Sequence, residues 1–337
     1  MNIAVCYNRV PPKLIRGEAT DRISEEGAEA QAQAVGTALE KLGHRVCLVP
    51  LGASLAAFVN DLQEAAVDLV FNLCEGFWGE SRMEMNVAAL LEMLGTPCTG
   101  SSPLCLGVTQ NKTLTKALLI QHGLPTPKSI TVRGEHLFAR AKNLSWPLIV
   151  KPATEDASLG IGPESVVTDE KSLHERVRHI HNRYQQAVLV EEYIDGREFN
   201  VSLLGGEKPR VLPLAEIRFD SSLPWKLVTY AGKWQEDSPD YTGTQVACPA
   251  QVSVREDFLV RDVALRAYKL LGCRDYARVD IRLRDGVPYI LEVNANPDIS
   301  PDAGLARSAR AGGLDYPQLI ERIIRMALKR KENCHAA

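Results

Sequence analysis

Two short segments hold the residue types best suited to chemistry: Arg278-Val279-Asp280-Ile281, and Leu291-Glu292-Val293-Asn294-Ala295-Asn296-Pro297. They read as the arms of a hairpin, YARVDIRL and PYILEVNANP, joined by RDGV. Asp-Gly between two runs of alternating apolar residues is a strong turn signal. Alternation puts Arg278, Asp280 and Arg282 on one face of the first strand, and Val279, Ile281 and Leu283 on the other. On the second strand Glu292 and Asn294 share a face, opposed by Leu291 and Val293. Two carboxylates and an amide oxygen can therefore converge beside a guanidinium. Such donors suit Mg²⁺ or Mn²⁺, above all where phosphates complete the shell. The same residues would also make a solvated polar face on an edge hairpin, so the rest of the chain has to decide.

Two lysines point to the phosphates. Lys112 lies in NKTLTK at the start of a helical run, and Lys151 ends the apolar strand PLIVK. A lone lysine is usually a surface residue. Lys151 fits that poorly, because its strand is apolar on both faces. A lysine at the carboxyl end of a buried strand, next to a glycine-containing loop, sits where α/β folds bind phosphate. The loop that follows is EDASLGIG. Further on, LVEEYIDGREF carries Glu191 and Glu192 on a strand, a turn, then Glu198. Acceptors at such a strand end can take an adenine amino group, and a carboxylate a turn later can hold ribose hydroxyls.

The elements that must position these groups follow from periodicity. NIAVCY, RVCLVP and VDLVFNL read as strands, alternating with helices at Glu25 to Leu42 and Met83 to Leu94. That alternation implies a parallel sheet covered on both faces. YNRVPPKLIRGE follows the first strand where a dinucleotide site needs GxGxxG, so a Rossmann cofactor site is not expected. A helix from Thr109 to His122 leads through GLPTPKS to the strand WPLIVKP; Val188 to Tyr193 and EFNVSLLG are further strands. Residues 213–249 lack clear periodicity, which marks a functional loop or lid. A helix at Asp257 to Leu271, the hairpin and a helix at Tyr316 to Arg330 complete the chain.

Composition sets outer limits. The chain has 337 residues, 45% hydrophobic and 24% charged, with net charge −3. This is ordinary for a globular protein of two or three domains and gives no nucleic-acid footprint. No apolar run is long enough to span a bilayer. The N-terminus enters a strand directly, without the features of a signal peptide. The eight cysteines form no CxxC pair, which suits reduced, structural thiols in a cytoplasmic protein.

The order of these elements resembles the ATP-grasp superfamily, and more narrowly the D-alanine–D-alanine ligase family. NK, strand-K-loop, EEYIDGREF, RVD and LEVNANP occur at family-like spacing over nearly the whole chain. Upstream, GFWGESRMEMNVAALLEMLGTPCTGSSPL is similar to that family's GEDGxxQGxLExxGxPYTGS. The resemblance implies three α/β domains, at 1–104, 105–190 and 191–337, with a nucleotide cleft between the central and C-terminal ones. It implies that Lys112 and Lys151 hold phosphates and that Ser158 lies in the loop above them. Adenine is expected at Glu191 and the backbone of Tyr193 and Ile194, and ribose at Glu198. Asp280, Glu292 and Asn294 would bind two Mg²⁺ ions. Arg278 would steady a tetrahedral intermediate, and Lys233 would touch the transferred phosphoryl group. The implied activity is ATP-dependent joining of a carboxylate and an amine through an acyl phosphate. Small-molecule substrates and a homodimer are expected.

The departures lie at the substrate end. Ala157 stands where the family has a serine, Trp234 where it has a tyrosine, and Asn294-Ala295-Asn296-Pro297-Asp298 where it reads NxSPG. A later serine falls on Ala303, beside Asp302. The N-terminal EVS signature is missing, with Glu25 or Glu26 as candidate replacements for its glutamate. Asp298 and Asp302 either line the acceptor pocket, disfavouring an acceptor carboxylate, or pair with Arg278, Arg307 or Arg310. The alternatives to an altered substrate are the plain family reaction on D-alanine, a non-catalytic ATP-binding module, or a phosphotransferase.

Overall fold

Strand β1 (Asn2–Asn8), helix α1 (Arg22–Lys41), β2 (Arg45–Leu51), α2 (Leu55–Glu64), β3 (Leu69–Leu73) and α3 (Glu84–Met93) open the chain. The structure is a computed structural model that describes residues 1–9, 22–133, 143–206 and 208–335, without the side chains of 22–26 and 331–335. The three strands form a parallel sheet in the order β2-β1-β3. Ile3, Val5 and Phe71 pack on one face, and Ala4, Cys6 and Val70 on the other. Two-sided burial is what a parallel sheet needs.

Helices α4 (Pro103–Gln110) and α5 (Lys112–Gln121) follow. The sequence predicts one helix here. Asn111 breaks it, with non-helical backbone and a side chain that accepts from the Leu114 amide. Asparagine competes well for this N-cap position. The break puts Lys112 at the first residue of α5 and Lys116 one turn later.

Strands β4 (Ser129–Val132), β5 (Leu148–Pro152) and β6 (Val166–Val167), helix α6 (Glu170–Tyr184) and strand β7 (Val188–Glu192) make the next layer. Its antiparallel sheet runs β4-β7-β5-β6. All five residues of β5 are buried, Lys151 among them.

The remaining elements are β8 (Arg197–Leu204), β9 (Arg210–Val211), β10 (Ala215–Phe219), α7 (Tyr230–Trp234), α8 (Pro239–Thr242), β11 (Thr244–Ala247), α9 (Val254–Leu270), β12 (Tyr276–Arg284), β13 (Val287–Asn294), α10 (Gly304–Ala311) and α11 (Tyr316–His335). The antiparallel sheet runs β11-β10-β8-β12-β13, with β9 on β8. Residues 213–249 are thus not loop throughout: β10 and β11 lie at each end, and only the stretch between them leaves the sheet. Their short runs are masked in sequence by the irregular Trp-, Ser- and Gly-rich stretch they enclose.

Packing cuts across the sequence boundaries at two places. Cys105 and Leu106 of α4 and Leu119 of α5 join the core under the large sheet, with Phe199, Val279 and Ile290. Leu319, Ile320 and Ile323 of α11 join Val5, Val35 and Phe71 at the first sheet. A buried polar clamp accompanies the second crossing. Asp275 is fully buried, accepts from the Gly100 amide at 2.8 Å, and pairs with Arg330 of α11, which also donates to the Cys98 carbonyl.

Candidate active site

The hairpin pairs β12 and β13 so that Arg278 faces Asn294 and Asp280 faces Glu292. A bulge then shifts the register, since Ile281 faces Ile290 and Leu291 is passed over. A bulge keeps apolar residues inward on both arms while re-aiming the polar end. Arg278 grips Asp280 with two bonds, Nε–Oδ1 at 2.7 Å and Nη2–Oδ2 at 2.9 Å. Asn200, opposite on β8, donates to Asp280 Oδ1 at 2.8 Å, and Asn294 donates to Asp280 and Glu292 at 3.2 and 3.3 Å. Burial pushes the Glu292 carboxyl up, but Lys112, Lys151 and Arg278 outweigh it and hold the group at about 2. Among the described residues no three His, Cys, Asp or Glu side chains are grouped to hold a metal. Two carboxylates and an amide suit a hard cation only if phosphate oxygens supply the rest of the shell.

The three lysines of the phosphate side are not surface residues. Lys112, Lys116 and Lys151 are 6, 4 and 5% exposed. Lys112 donates to the Glu155 carbonyl, pairs with Asp156 at 3.2 Å, and lies 3.8 Å from Glu292. Lys151 and Lys116 close on Glu191 at 2.5 and 2.8 Å. The expected adenine contact, Glu191, is therefore buried between two cations that overcome its desolvation and lower its pKa. Lys116 escaped the sequence reading, although its four-residue spacing from Lys112 on one helix face was the available signal.

At the nucleoside end Glu198 takes two bonds from Arg282, at 2.9 and 2.6 Å, and Arg282 also donates to the Ile194 carbonyl at 2.8 Å. The Tyr193 amide donates to the Pro147 carbonyl at 2.9 Å, and its ring meets Trp225 edge-on at 5.4 Å. Arg282, on the polar face already marked by Arg278 and Asp280, thus orients the expected ribose contact.

A cavity of about 750 Å³ adjoins the hairpin. Its walls include Arg278, Asn294, Asp298, Asp302, Lys233, Trp234 and Ala157, brought together from two sheets and their loops. Trp234 donates through Nε1 to the Ala157 carbonyl at 3.1 Å, and the Tyr230 amide donates to the Ile161 carbonyl at 2.9 Å. Ser158 and Ala157 in that loop both have left-handed backbone, φ 61° and 54°. Lys233 lies over the Trp234 ring at 5.0 Å. Burial first, and Arg278 second, lower the Lys233 pKa. Glu84 also lines the cavity; burial raises its pKa against a 2.9 Å bond from Asn296.

Among the described residues neither Asp298 nor Asp302 forms a salt bridge with an arginine. Arg307 and Arg310 donate to the backbone carbonyls of Asp302 and Pro301, and Arg278 is committed to Asp280. The Asp298 carboxylate accepts instead from Gln31 at 3.2 Å and the Ser300 amide at 2.8 Å. Backbone carbonyls at a tight loop offered the arginines a nearer partner. Glu25 and Glu26 fall in α1, and their side chains lie outside the described residues.

Comparison with known proteins decides the lineage. The family model described as "D-ala D-ala ligase C-terminus" matches residues 118–325. A D-alanine–D-alanine ligase of Moorella thermoacetica is 33% identical over 94% of this chain and 98% of its own. The chain belongs to the D-alanine–D-alanine ligase family. As a member it is an ATP-dependent ligase that forms carbon–nitrogen bonds, built on the ATP-grasp fold. A protein of Sinorhizobium fredii, named only as uncharacterized protein y4sG, is 38% identical over 89% of this chain and 88% of its own. The solved D-alanine–D-alanine ligase of Bacillus anthracis, complexed with ATP, superposes with TM-score 0.79 at 25% identity, covering 99% of both chains. The VanG D-Ala:D-Ser ligase of Enterococcus faecalis shares the fold, with TM-score 0.73 at 22% identity over 97% of this chain and 99% of that one. No helix among the described residues is long and apolar enough to cross a membrane.

Proposed function

We propose that this ligase activates a small carboxylate with ATP and joins it to an amine other than D-alanine. One observation carries the placement of the chemistry: Arg278–Asn294 and Asp280–Glu292 are direct cross-strand pairs, with Lys112 3.8 Å from Glu292. Lys112 and Lys151 hold the phosphates, and Glu191, Tyr193, Ile194 and Glu198 frame the nucleoside. Asp280, Glu292 and Asn294 would hold Mg²⁺, two ions in this reading, and the metal would neutralise phosphate charge. The present ion pairs would exchange for ligand contacts: Lys112 leaves Asp156, and Asp280 loosens from Arg278.

A carboxylate resists attack by an amine because oxide is a very poor leaving group. Transfer of the γ-phosphoryl gives an acyl phosphate, whose phosphate leaves readily. Lys233 stabilises the phosphoryl group in flight. The amine then attacks the acyl carbon, and Arg278 steadies the oxyanion. The Trp234–Ala157 contact keeps water from the acyl phosphate. A cytoplasmic homodimer completes the proposal.

A second reading, D-alanine as both substrates, is favoured by the 33% identity to a D-alanine–D-alanine ligase over nearly the full length. Phosphate release with ATP and Mg²⁺, and mass detection of products across amino acids, diamines and dipeptides, separates them. D-alanyl-D-alanine formed at the best rate restores the second reading. Phosphorylated product without amide overturns both.

A further inference from the structure

The turn Phe77-Trp78-Gly79-Glu80 forms part of the cavity wall. Phe77 and Glu80 exchange both backbone hydrogen bonds, at 3.2 and 3.0 Å. The two residues between them have φ of 54° and 66°, the paired positive values of a type I′ turn. Its first central position ordinarily holds Asn, Asp or Gly. Tryptophan there is strained, and strain of this kind gathers at ligand clamps. Nor does the indole fill the core. Trp78 is 59% exposed, stacked on Phe77 at 4.6 Å, and steadied by its Nε1 bond to the Ala53 carbonyl.

The charge of the cavity adds a second observation. Among the described residues its lining has seven acidic side chains against three basic ones. Asp156 is matched by Lys112 and Glu80 by Arg82. Asp298 and Asp302 form no salt bridge among the described residues, although Asp298 lies within the electrostatic reach of Lys233 and Arg278. A volume near 750 Å³ falls in the range of drug-sized ligands.

We propose that the acceptor amine carries a second cationic group and no free carboxylate, recognised by the Trp78–Phe77 face and by Asp298 and Asp302. This deepens the ligase reading above and rests on it. An indole face attracts a cation through its quadrupole, and the two carboxylates supply opposite charge. A small zwitterion would bring its carboxylate against Asp298 and leave the aromatic face uncovered, which discriminates by repulsion as well as attraction.

Calorimetric titration of the full chain with ADP and Mg²⁺ tests this with three probes. Lysinamide has two cations and no carboxylate, norleucinamide lacks the second cation, and D-alanine has a carboxylate and one methyl group; both enantiomers of each amide are used. Lysinamide should bind at least tenfold more tightly than either other probe. Trp78→Ala and Asp298→Asn should each reduce that preference at least threefold. Equal binding, tighter norleucinamide or D-alanine, no binding of lysinamide, or a preference untouched by both variants overturns the proposal. Mass detection of ATP-dependent amide products from the same amines reports on the ligase reading separately. Preferential lysinamide binding without any amide would sink that reading alone, amide formed from an amine other than D-alanine without preferential lysinamide binding would sink only this inference, and D-alanyl-D-alanine formed at the best rate would sink both.

Discussion

Single residues in this site are held by charges of opposite sign, so replacing one reveals what the others do. Glu292 is kept ionised down to about pH 2 by three cations, and its side chain is 29% exposed. Glu292→Gln should therefore leave the fold intact while lowering turnover more than roughly 100-fold, beyond the effect of groups that only orient metal ligands. Unchanged ATP-dependent turnover would remove the hairpin from the mechanism. Lys233 gives a pH signature. Its folded pKa lies below the ordinary lysine value, so it loses its proton early as pH rises. The rate should fall on the alkaline side before an ordinary lysine would titrate. The unfolded chain binds that proton more tightly, so the stability cost of burying the charged lysine is relieved as pH rises from the folded to the unfolded pKa. Rate and stability should thus move in opposite directions with pH, read from paired kcat/KM and urea-unfolding profiles, since kcat/KM reports the free protein's groups. An alkaline limb at or above the ordinary lysine range would contradict this.

At the level of elements, the decisive contact joins the loop after β5 to α7. Trp234 Nε1 meets the Ala157 carbonyl, and the Tyr230 amide meets that of Ile161. Trp234→Phe deletes the first bond and retains an aromatic ring. We expect an increased share of phosphate released without amide, since water then reaches the acyl phosphate. The ratio of phosphate to amide product measures it, and a ratio equal to that of the unaltered protein would argue against a closure role. Amide exchange over 223–243 should also slow with ADP, Mg²⁺ and an acyl-phosphate mimic.

Across the whole molecule, α11 returns to the first sheet, and the Asp275–Arg330 pair bridges the segments at Gly100 and Cys98. Burial raises the Asp275 carboxyl above its ordinary value, and Arg330, the Gly100 amide and Arg274 only partly offset it. Asp275→Ala strands Arg330 and the Gly100 amide together. The loss should be about 3 kcal/mol, measured by denaturant unfolding. A loss below about 0.5 kcal/mol, the size of an ordinary surface substitution, would show that the clamp is incidental.

What the sequence determined by itself was local. Asp285-Gly286 with alternation on either side specified the hairpin, and alternation put Asp280, Glu292 and Asn294 on one face. The ordered lysines and glutamates then pointed to the ATP-grasp plan. Alternation has a period of two and needs no partner, so it is legible in one dimension. Tertiary structure decided how the charges pair. Lys151 chose Glu191, Arg282 chose Glu198, and Arg307 chose a backbone carbonyl over Asp298. These choices depend on distance and desolvation between segments far apart in the chain. The break at Asn111, the strands inside 213–249 and the return of α11 were hidden for the same reason: propensity is weak beside the packing that overrides it. Only the assembled cavity could show that Trp78, Asp298 and Asp302 line one open pocket.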